Sequence, residues 1–229
     1  MIRLNRISKS MVIVGLLVAF SATFFGCASN EKKKDIYERT PSDLLTEAQE
    51  KLDKYEFKSA TKLLQAIKDR YPYSKESIEA ELKLAHSLFQ RKEYDSALEN
   101  YDEFERLHPK DKDIPYVIYQ KGMCHFLQIR SIDREQTQVA MARDEFEELV
   151  KRFPDNEYAK KAKENIRQCF IYQSEYELYV GQFYFKMKEY RPALERFMYI
   201  LENYPDVGQY DEALEYIAKC KIKLAEAEE

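Results

Sequence analysis

Four segments of this chain repeat a single spacing of small, apolar and aromatic residues, which constrains its fold more than any other feature. Each ends in an aromatic residue or His followed by Pro: Tyr71-Pro72, His108-Pro109, Phe153-Pro154 and Tyr204-Pro205. Twelve residues before each Pro stands an Ala: Ala60, Ala97, Ala142 and Ala193. Four residues after the Ala comes a large side chain (Leu64, Tyr101, Phe146, Phe197), and three further on another (Ile67, Phe104, Leu149, Ile200). Offsets of four and seven share one face of an α-helix, so the spacing predicts four amphipathic helices, each stopped by Pro. Three residues before the Ala an aromatic recurs as Phe57, Tyr94 and Tyr190, with Val139 in the third copy. A second small residue, twelve positions before the Ala, is Ala48, Ala85 or Gly181; Gly122 takes this role once an eight-residue insertion is allowed.

Two small residues facing two large ones describe a tightly packed helical hairpin, and four copies in one register describe a stack of them. The pattern resembles the tetratricopeptide repeat (TPR). The expected fold is all-α, a TPR superhelix of about five repeats with the last incomplete, spanning residues 41–229. The polar stretch Ser131 to Thr137 lengthens the turn of the third hairpin. From Pro154 to Gly181 no breaker occurs, which predicts one long helix over residues 157–188, about 48 Å at 1.5 Å per residue. Ala213 and Ile217 repeat the spacing found after Pro72 and Pro154, so a last first-helix is predicted from Gln209 to Glu226. It should cap the stack.

Residues 1–26 read as an export signal, with Arg3, Arg6 and Lys9 ahead of an apolar run from Met11 to Phe25. The run is shorter than the roughly 20 residues a membrane-spanning helix needs. Phe24-Phe25-Gly26-Cys27 resembles a bacterial lipobox, in which the Cys is acylated and becomes the new N-terminus. An ordinary signal peptide or an uncleaved anchor are the other readings. Cys27 is therefore the expected lipidation site, and the covalent lipid is the only attached group expected. Ala28 stands where an Asp would resemble an inner-membrane retention signal, which favours the outer membrane. Residues 27–40 are the acylated Cys and a polar tether.

Without the signal, 34 basic residues face 41 acidic ones, a net charge of −7 that argues against nucleic-acid binding. Three glycines survive removal of the signal (Gly122, Gly181, Gly208), where average usage of about 7% would give roughly fourteen. Gly-rich phosphate loops are thereby excluded, and no sequence fingerprint of a hydrolase, metalloprotease or nucleotide-binding enzyme occurs. His86, His108 and His125 are scattered, and no metal site is expected. Cys124, Cys169 and Cys220 each fall 15 residues after a repeat-ending Pro, which suggests small buried side chains. Tyr172, Tyr176, Tyr179, Phe183 and Tyr184 sit on the long helix. They are core and inter-repeat packing, or, for Tyr172, Tyr176 and Tyr179, candidates to line a groove for an extended client.

The third repeat carries a more specific resemblance. Pro109 and a polar loop lead into Tyr116-Val117-Ile118-Tyr119-Gln120-Lys121-Gly122. Asp133-Arg134, Ala142-Arg143, Phe146 and Phe153-Pro154 through Tyr158-Ala159 follow, and then the long helix bearing Tyr176 and Tyr184. These residues resemble the BamD (YfiO) family, lipoprotein subunits of the outer-membrane β-barrel assembly (BAM) machinery. The resemblance implies a non-enzymatic scaffold on the periplasmic face of the outer membrane, beside other BAM lipoproteins. It implies C-terminal repeats that bind the POTRA region of the barrel protein BamA, and N-terminal repeats that engage unfolded outer-membrane proteins. Arg196 falls where the family can present an Arg to the POTRA region, with Glu195, Tyr199 and Glu202 beside it; a solvated helix residue is the alternative. The chain departs from the family at its C-terminus, where members often carry a further helix. Periplasmic TPR adaptors of cell-wall synthesis, the Tol system or pilus assembly share the repeats but not the Tyr116–Gly122 stretch.

Overall fold

The computed structural model describes residues 38–131, 136–204 and 207–228. The proposed signal, Cys27, most of the tether and Asp133-Arg134 lie outside the described residues. The chain divides into two units at Arg39/Thr40, and the helices of the described residues belong to the second. Among the described residues there are nine: α1 (Pro41–Asp53), α2 (Phe57–Arg70), α3 (Lys75–Gln90), α4 (Tyr94–Leu107), α5 (Ile114–Phe126), α6 (Thr137–Arg152), α7 (Glu157–Lys186), α8 (Tyr190–Asn203) and α9 (Tyr210–Glu228).

The helix ends follow from local chemistry. Thr40 caps α1 in a reciprocal box with Asp43: Thr40 Oγ1 accepts from the Asp43 N–H at 3.2 Å, and Asp43 accepts from the Thr40 N–H at 3.3 Å. Pro41, at the first helical position, loses no bond there. Asn156 caps the long helix by accepting from the Tyr158 N–H at 2.9 Å. Tyr71, His108 and Phe153 close α2, α4 and α6 in nearly one conformation, with φ of −129°, −126° and −136°. The Pro that follows each disfavours helical φ/ψ in the residue before it. Three hairpins turn through a residue in the left-handed region, Tyr55 (φ 58°), Lys92 (φ 63°) and Lys188 (φ 65°). The next N–H, of Glu56, Glu93 or Glu189, then donates to a carbonyl five residues back, of Lys51, Leu88 or Tyr184. No glycine marks these turns, so their handedness was invisible in the composition.

Each helix packs on the next, and α1 with α3, α5 with α7 and α7 with α9 also meet, so these first helices share one side of the stack. This is the hairpin stack of a tetratricopeptide-repeat protein. All twelve repeat positions named above, from Ala60 to Ile200, are at most 1% exposed. The predicted long helix runs 157–186 and the last one 210–228, each within two residues of its expected ends. The N-terminal half of α7 packs on the third hairpin through Tyr158 and Asn165, and its C-terminal half meets α8 where Gly181 lies against Phe197.

The small positions are where the helices come closest. A Cβ on Gly122 would lie 2.5 Å from Phe146 Cε1, and one on Gly181 would lie 2.6 Å from Phe197 Cε1. Where the first hairpin has Ala48 it has the smaller Leu64 opposite in register. The expected buried cysteines are observed: Cys124, Cys169 and Cys220 are free thiols with no exposed surface. Burial pushes Cys124 and Cys169 up to about 12, so neither carries reactive thiolate at neutral pH.

Gly181→Ala is expected to lower stability by about 1–2 kcal/mol, because ring displacement outweighs the better helix propensity of Ala. Adding Phe197→Leu, which recreates the Ala48/Leu64 combination, should cost less than the sum of the two single changes. A thermal-unfolding double-mutant cycle checks this.

Candidate binding surfaces

The Tyr116–Gly122 stretch joins three repeats. Tyr116 on α5 shares a 2.7 Å hydrogen bond with His86 Nδ1 on α3, and its ring lies edge-on to Tyr101 of α4 and Tyr158 of α7. Tyr119, one turn on, packs against Phe146 of α6 and Tyr158, with centroids 5.7 and 5.5 Å away. Lys121 is 8% exposed, and its Nζ reaches Asp102 (2.8 Å), Glu105 (3.1 Å) and Glu145 (3.3 Å) on the two flanking helices. Arg152 extends the network, at 2.6 Å from both Glu105 and Glu148. Sequence reasoning missed this network although a signal existed. Lys121 lies twelve residues after its Pro, where Leu84 and Ile217 fill the core of other repeats.

The network sets unequal proton affinities. Burial opposes the charge on Lys121, but the hydrogen bond it donates to Asp102 and the charges of Glu145, Asp102 and Glu105 outweigh it and raise its pKa. Burial also opposes ionisation of Glu105, yet Arg152 and Lys121 bring its carboxyl below the usual range. Burial raises Glu145, and Lys121 offsets this only in part. Glu105 thus adds stability above its unfolded pKa that is lost as pH falls through the folded value. Glu145 has the opposite sign: its ionisation costs stability, and acid relieves that cost.

Two surfaces on the first-helix side have the shape and chemistry to hold an extended chain. A groove of about 900 Å³ runs across α1, α3 and the start of α5, with Leu52, Ile78, Leu82 and Tyr116 supplying apolar walls. Lys75, Lys112, Asp53, Asp111 and Asp113 add charges of both signs to its lining. His86 lines it too, its pKa lowered by burial and by Lys83, so the imidazole is neutral at neutral pH. At the rim stands Tyr55, 81% exposed, in the turn position that holds Lys92 and Lys188 in other hairpins. An aromatic ring where its counterparts are lysines was the sequence signal for this groove, and the aromatic-rich long helix drew attention instead.

The second surface is that helix. Tyr172, Tyr176, Tyr179 and Phe183 share one face of α7, which Met187 continues just past the helix end, and exposure rises along it. Tyr172 is half-buried against Phe126, Tyr176 is half-buried, Tyr179 is exposed, and Phe183 is 54% exposed. On neighbouring α8, Arg196, Tyr199 and Glu202 are all exposed. The Arg196 guanidinium is nonetheless held: Nη1 donates to Glu177 Oε2 of α7 at 3.0 Å, and this hydrogen bond raises its pKa. One turn earlier on α7, Gln173 accepts from Arg143 of α6 at 3.3 Å. Tyr199 lies edge-on to Tyr204.

A stack of TPR hairpins with an apolar first-helix side defines a class of binding scaffolds. The chain matches the model of the YfiO family, described as an outer membrane lipoprotein, over residues 37–229, and it belongs to that family. Among its relatives is the outer membrane protein assembly factor BamD of Rickettsia prowazekii, 27% identical over 97% of this chain and 86% of the relative. The BamD proteins of Caulobacter vibrioides (27% identical, 100% of this chain, 75% of the relative) and Vibrio cholerae (27%, 90% and 88%) are similar. A solved tetratricopeptide-repeat protein from Parabacteroides merdae has a TM-score of 0.43 at 13% identity, covering 81% of this chain and 73% of that one.

Lys121→Gln is expected to cost about 3 kcal/mol at neutral pH, since it leaves Glu105 and Glu145 without their shared cation. The deficit should shrink as pH falls toward the raised pKa of Glu145, because a protonated Glu145 needs no cation. Denaturant unfolding at neutral and mildly acidic pH reads both effects.

Proposed function

We propose that this protein is a non-enzymatic scaffold lipoprotein of outer-membrane β-barrel assembly. Acylated Cys27 holds it to the periplasmic face of the outer membrane, and residues 27–40 serve as tether. The C-terminal face around Arg196, Tyr199 and Glu202 docks the POTRA region of a BamA-like barrel protein, alongside other BAM lipoproteins. Unfolded outer-membrane proteins lie along the first-helix side, in the α1–α3–α5 groove and on the stripe of Tyr172, Tyr176 and Tyr179. The observation that carries this reading is the family match across the whole repeat region, with relatives named as BamD assembly factors along most of their length.

Physical chemistry supports each part. Extended clients suit a long groove with apolar walls and both signs of charge, since apolar contact supplies affinity and charge supplies orientation. Exposed tyrosines bring large contact area with little rotamer entropy to lose. The Arg196–Glu177 pair presents a guanidinium already fixed in direction, so a partner carboxylate meets it at a reduced entropic cost. A lipid anchor confines clients and partner to one surface and raises their effective concentration.

The test is affinity capture of the acylated protein from its native envelope in detergent, with bound proteins identified by mass spectrometry. Arg196→Gln is preferable to a charge reversal, which would set two carboxylates against each other at Glu177. Recovery of a POTRA-containing barrel protein, reduced several-fold by Arg196→Gln, is the expected outcome. Recovery of cell-wall synthases, Tol components or pilus proteins without a barrel protein would overturn the assignment. In a separate crosslinking assay with an unfolded barrel substrate, Tyr55→Ser should reduce capture at the groove.

A further inference from the structure

The first hairpin turn departs from its counterparts at two positions together. Where the second and fourth turns carry Gln90 and Lys92, or Lys186 and Lys188, the first carries Asp53 and Tyr55. Neither residue suits its backbone. Tyr55 adopts a left-handed φ of 58°, which bulky side chains rarely take, and leaves its ring 81% exposed. Asp53 is the last residue of α1, where the helix dipole opposes a carboxylate. Both line the α1–α3–α5 groove with Phe57 and Gln90. Ser87 donates to the Phe57 carbonyl at 3.0 Å, which sets this turn beside the C-terminal end of α3.

The chemistry at that end is an exposed ring beside a carboxylate. Tyr55 and Phe57 meet edge to face, with centroids 6.1 Å apart and planes at 77°, and make an aromatic corner. Asp53 is steadied through Oδ1, which accepts from the Gln49 amide at 2.7 Å. Its Oδ2 has no hydrogen bond or ion pair among the described residues. The other charges of the groove are paired or distant. Lys83 is held by Glu79 at 3.1 Å and by the Gln49 side-chain carbonyl. Lys75, Lys112, Asp111 and Asp113 line the opposite end, where α3 and α5 begin. Four carboxylates and three lysines line the groove in all, a net charge of −1, and His86 is neutral. Lys54 does not line it, and neither does Lys51, which pairs with Glu56 at 2.6 Å.

We propose that this end of the groove is a subsite for an arginine side chain of the bound segment. A guanidinium pairs with a carboxylate and stacks its plane on an aromatic face, so Asp53 and Tyr55 together suit it better than they suit an ammonium. The subsite rests on the client groove proposed above and gives that groove a specificity. Apolar side chains of an extended segment meet Leu52, Ile78 and Leu82, and its arginine lies at the Tyr55 end. From Lys75 to Gln90 the groove follows α3 for about 22 Å, room for roughly seven extended residues. The second and fourth turns, with lysine at the ring position, form no such subsite.

Fluorescence anisotropy of dye-labelled peptides, titrated with the purified full-length chain, tests it. The probes are Val-Thr-Val-Thr-Val-Arg-Ser-amide and the same peptide with Gln or Glu in place of Arg. The Arg peptide should bind about five- to ten-fold tighter than the Gln peptide, as one exposed ion pair and one cation–π contact together supply. Asp53→Asn and Tyr55→Lys should each reduce that preference about two- to five-fold. Tyr55→Phe keeps the ring and should leave the preference within about two-fold. Asp53→Lys should invert it, so that the Glu peptide binds tighter than the Arg peptide. Equal binding of the Arg and Gln peptides, or a preference that survives both Asp53→Asn and Tyr55→Lys, overturns the subsite and leaves the client groove standing. Failure of every peptide to bind overturns both. Circular dichroism of each variant confirms that the helices are intact, so a lost preference reports the subsite and not unfolding.

Discussion

The contact on which the rest of the structure depends is the close approach of two helices over a small residue. In the third and fourth hairpins this is a glycine lying against the ring of Phe146 or Phe197, with no room for a β-carbon. The approach fixes the distance between first and second helix. That distance sets which side chains reach the next hairpin, and thereby the first-helix face on which both candidate surfaces lie. Because repeats touch mainly their sequence neighbours, an error at one such contact stays local in sequence but shifts everything stacked beyond it.

Lys121 adds polar specificity at the centre of the stack. A buried lysine among three carboxylates stabilises less than a well-packed leucine does, since burial costs charged groups much of what pairing returns. What it does impose is register: Asp102 and Glu105 come from α4, Glu145 from α6, and only one arrangement of the three helices brings them within 3.3 Å of one nitrogen. The tyrosines of the same stretch tie α3, α4, α6 and α7 together through Tyr101, Phe146, Tyr158 and the His86 hydrogen bond. A stretch identified by family resemblance thus turns out to be the junction of repeats two, three and four. Its residues are engaged with each other, and Tyr116 alone among them also lines the groove.

The long helix α7 separates two kinds of surface. Its buried side replaces a loop with continuous backbone hydrogen bonds, which removes a hinge between the third and fourth hairpins. Its first-helix side carries rings whose exposure increases toward Met187, so one helix passes from inter-repeat packing at Tyr172 to open apolar surface at Phe183. Packing is observed for Tyr172 against Phe126, while Tyr179 and Phe183 are exposed and stay candidates for a client surface. Arg196, which the family resemblance directs at a partner, pairs with Glu177 of α7 in its own chain while staying exposed.

Helices and hairpin order were legible in the sequence because they depend on short-range spacing: small and large residues at offsets of four, seven and twelve, and Pro at each end. Burial of the repeat positions and of the three cysteines followed from the same register. The left-handed turns at Tyr55, Lys92 and Lys188 were not legible, since the usual glycine is missing and hairpin closure imposes the conformation. The unusual residues Lys121 and Tyr55 were visible in the register, but not the carboxylates that Lys121 meets, 16 to 24 residues away on other helices, nor the groove walls, which come from three helices. Sequence alone therefore determined which segments become helices and in what order they stack, because those choices are made within one or two turns of chain. Only the tertiary structure decided which charges meet and which rings stay exposed, because those outcomes depend on distances between helices that no local spacing records.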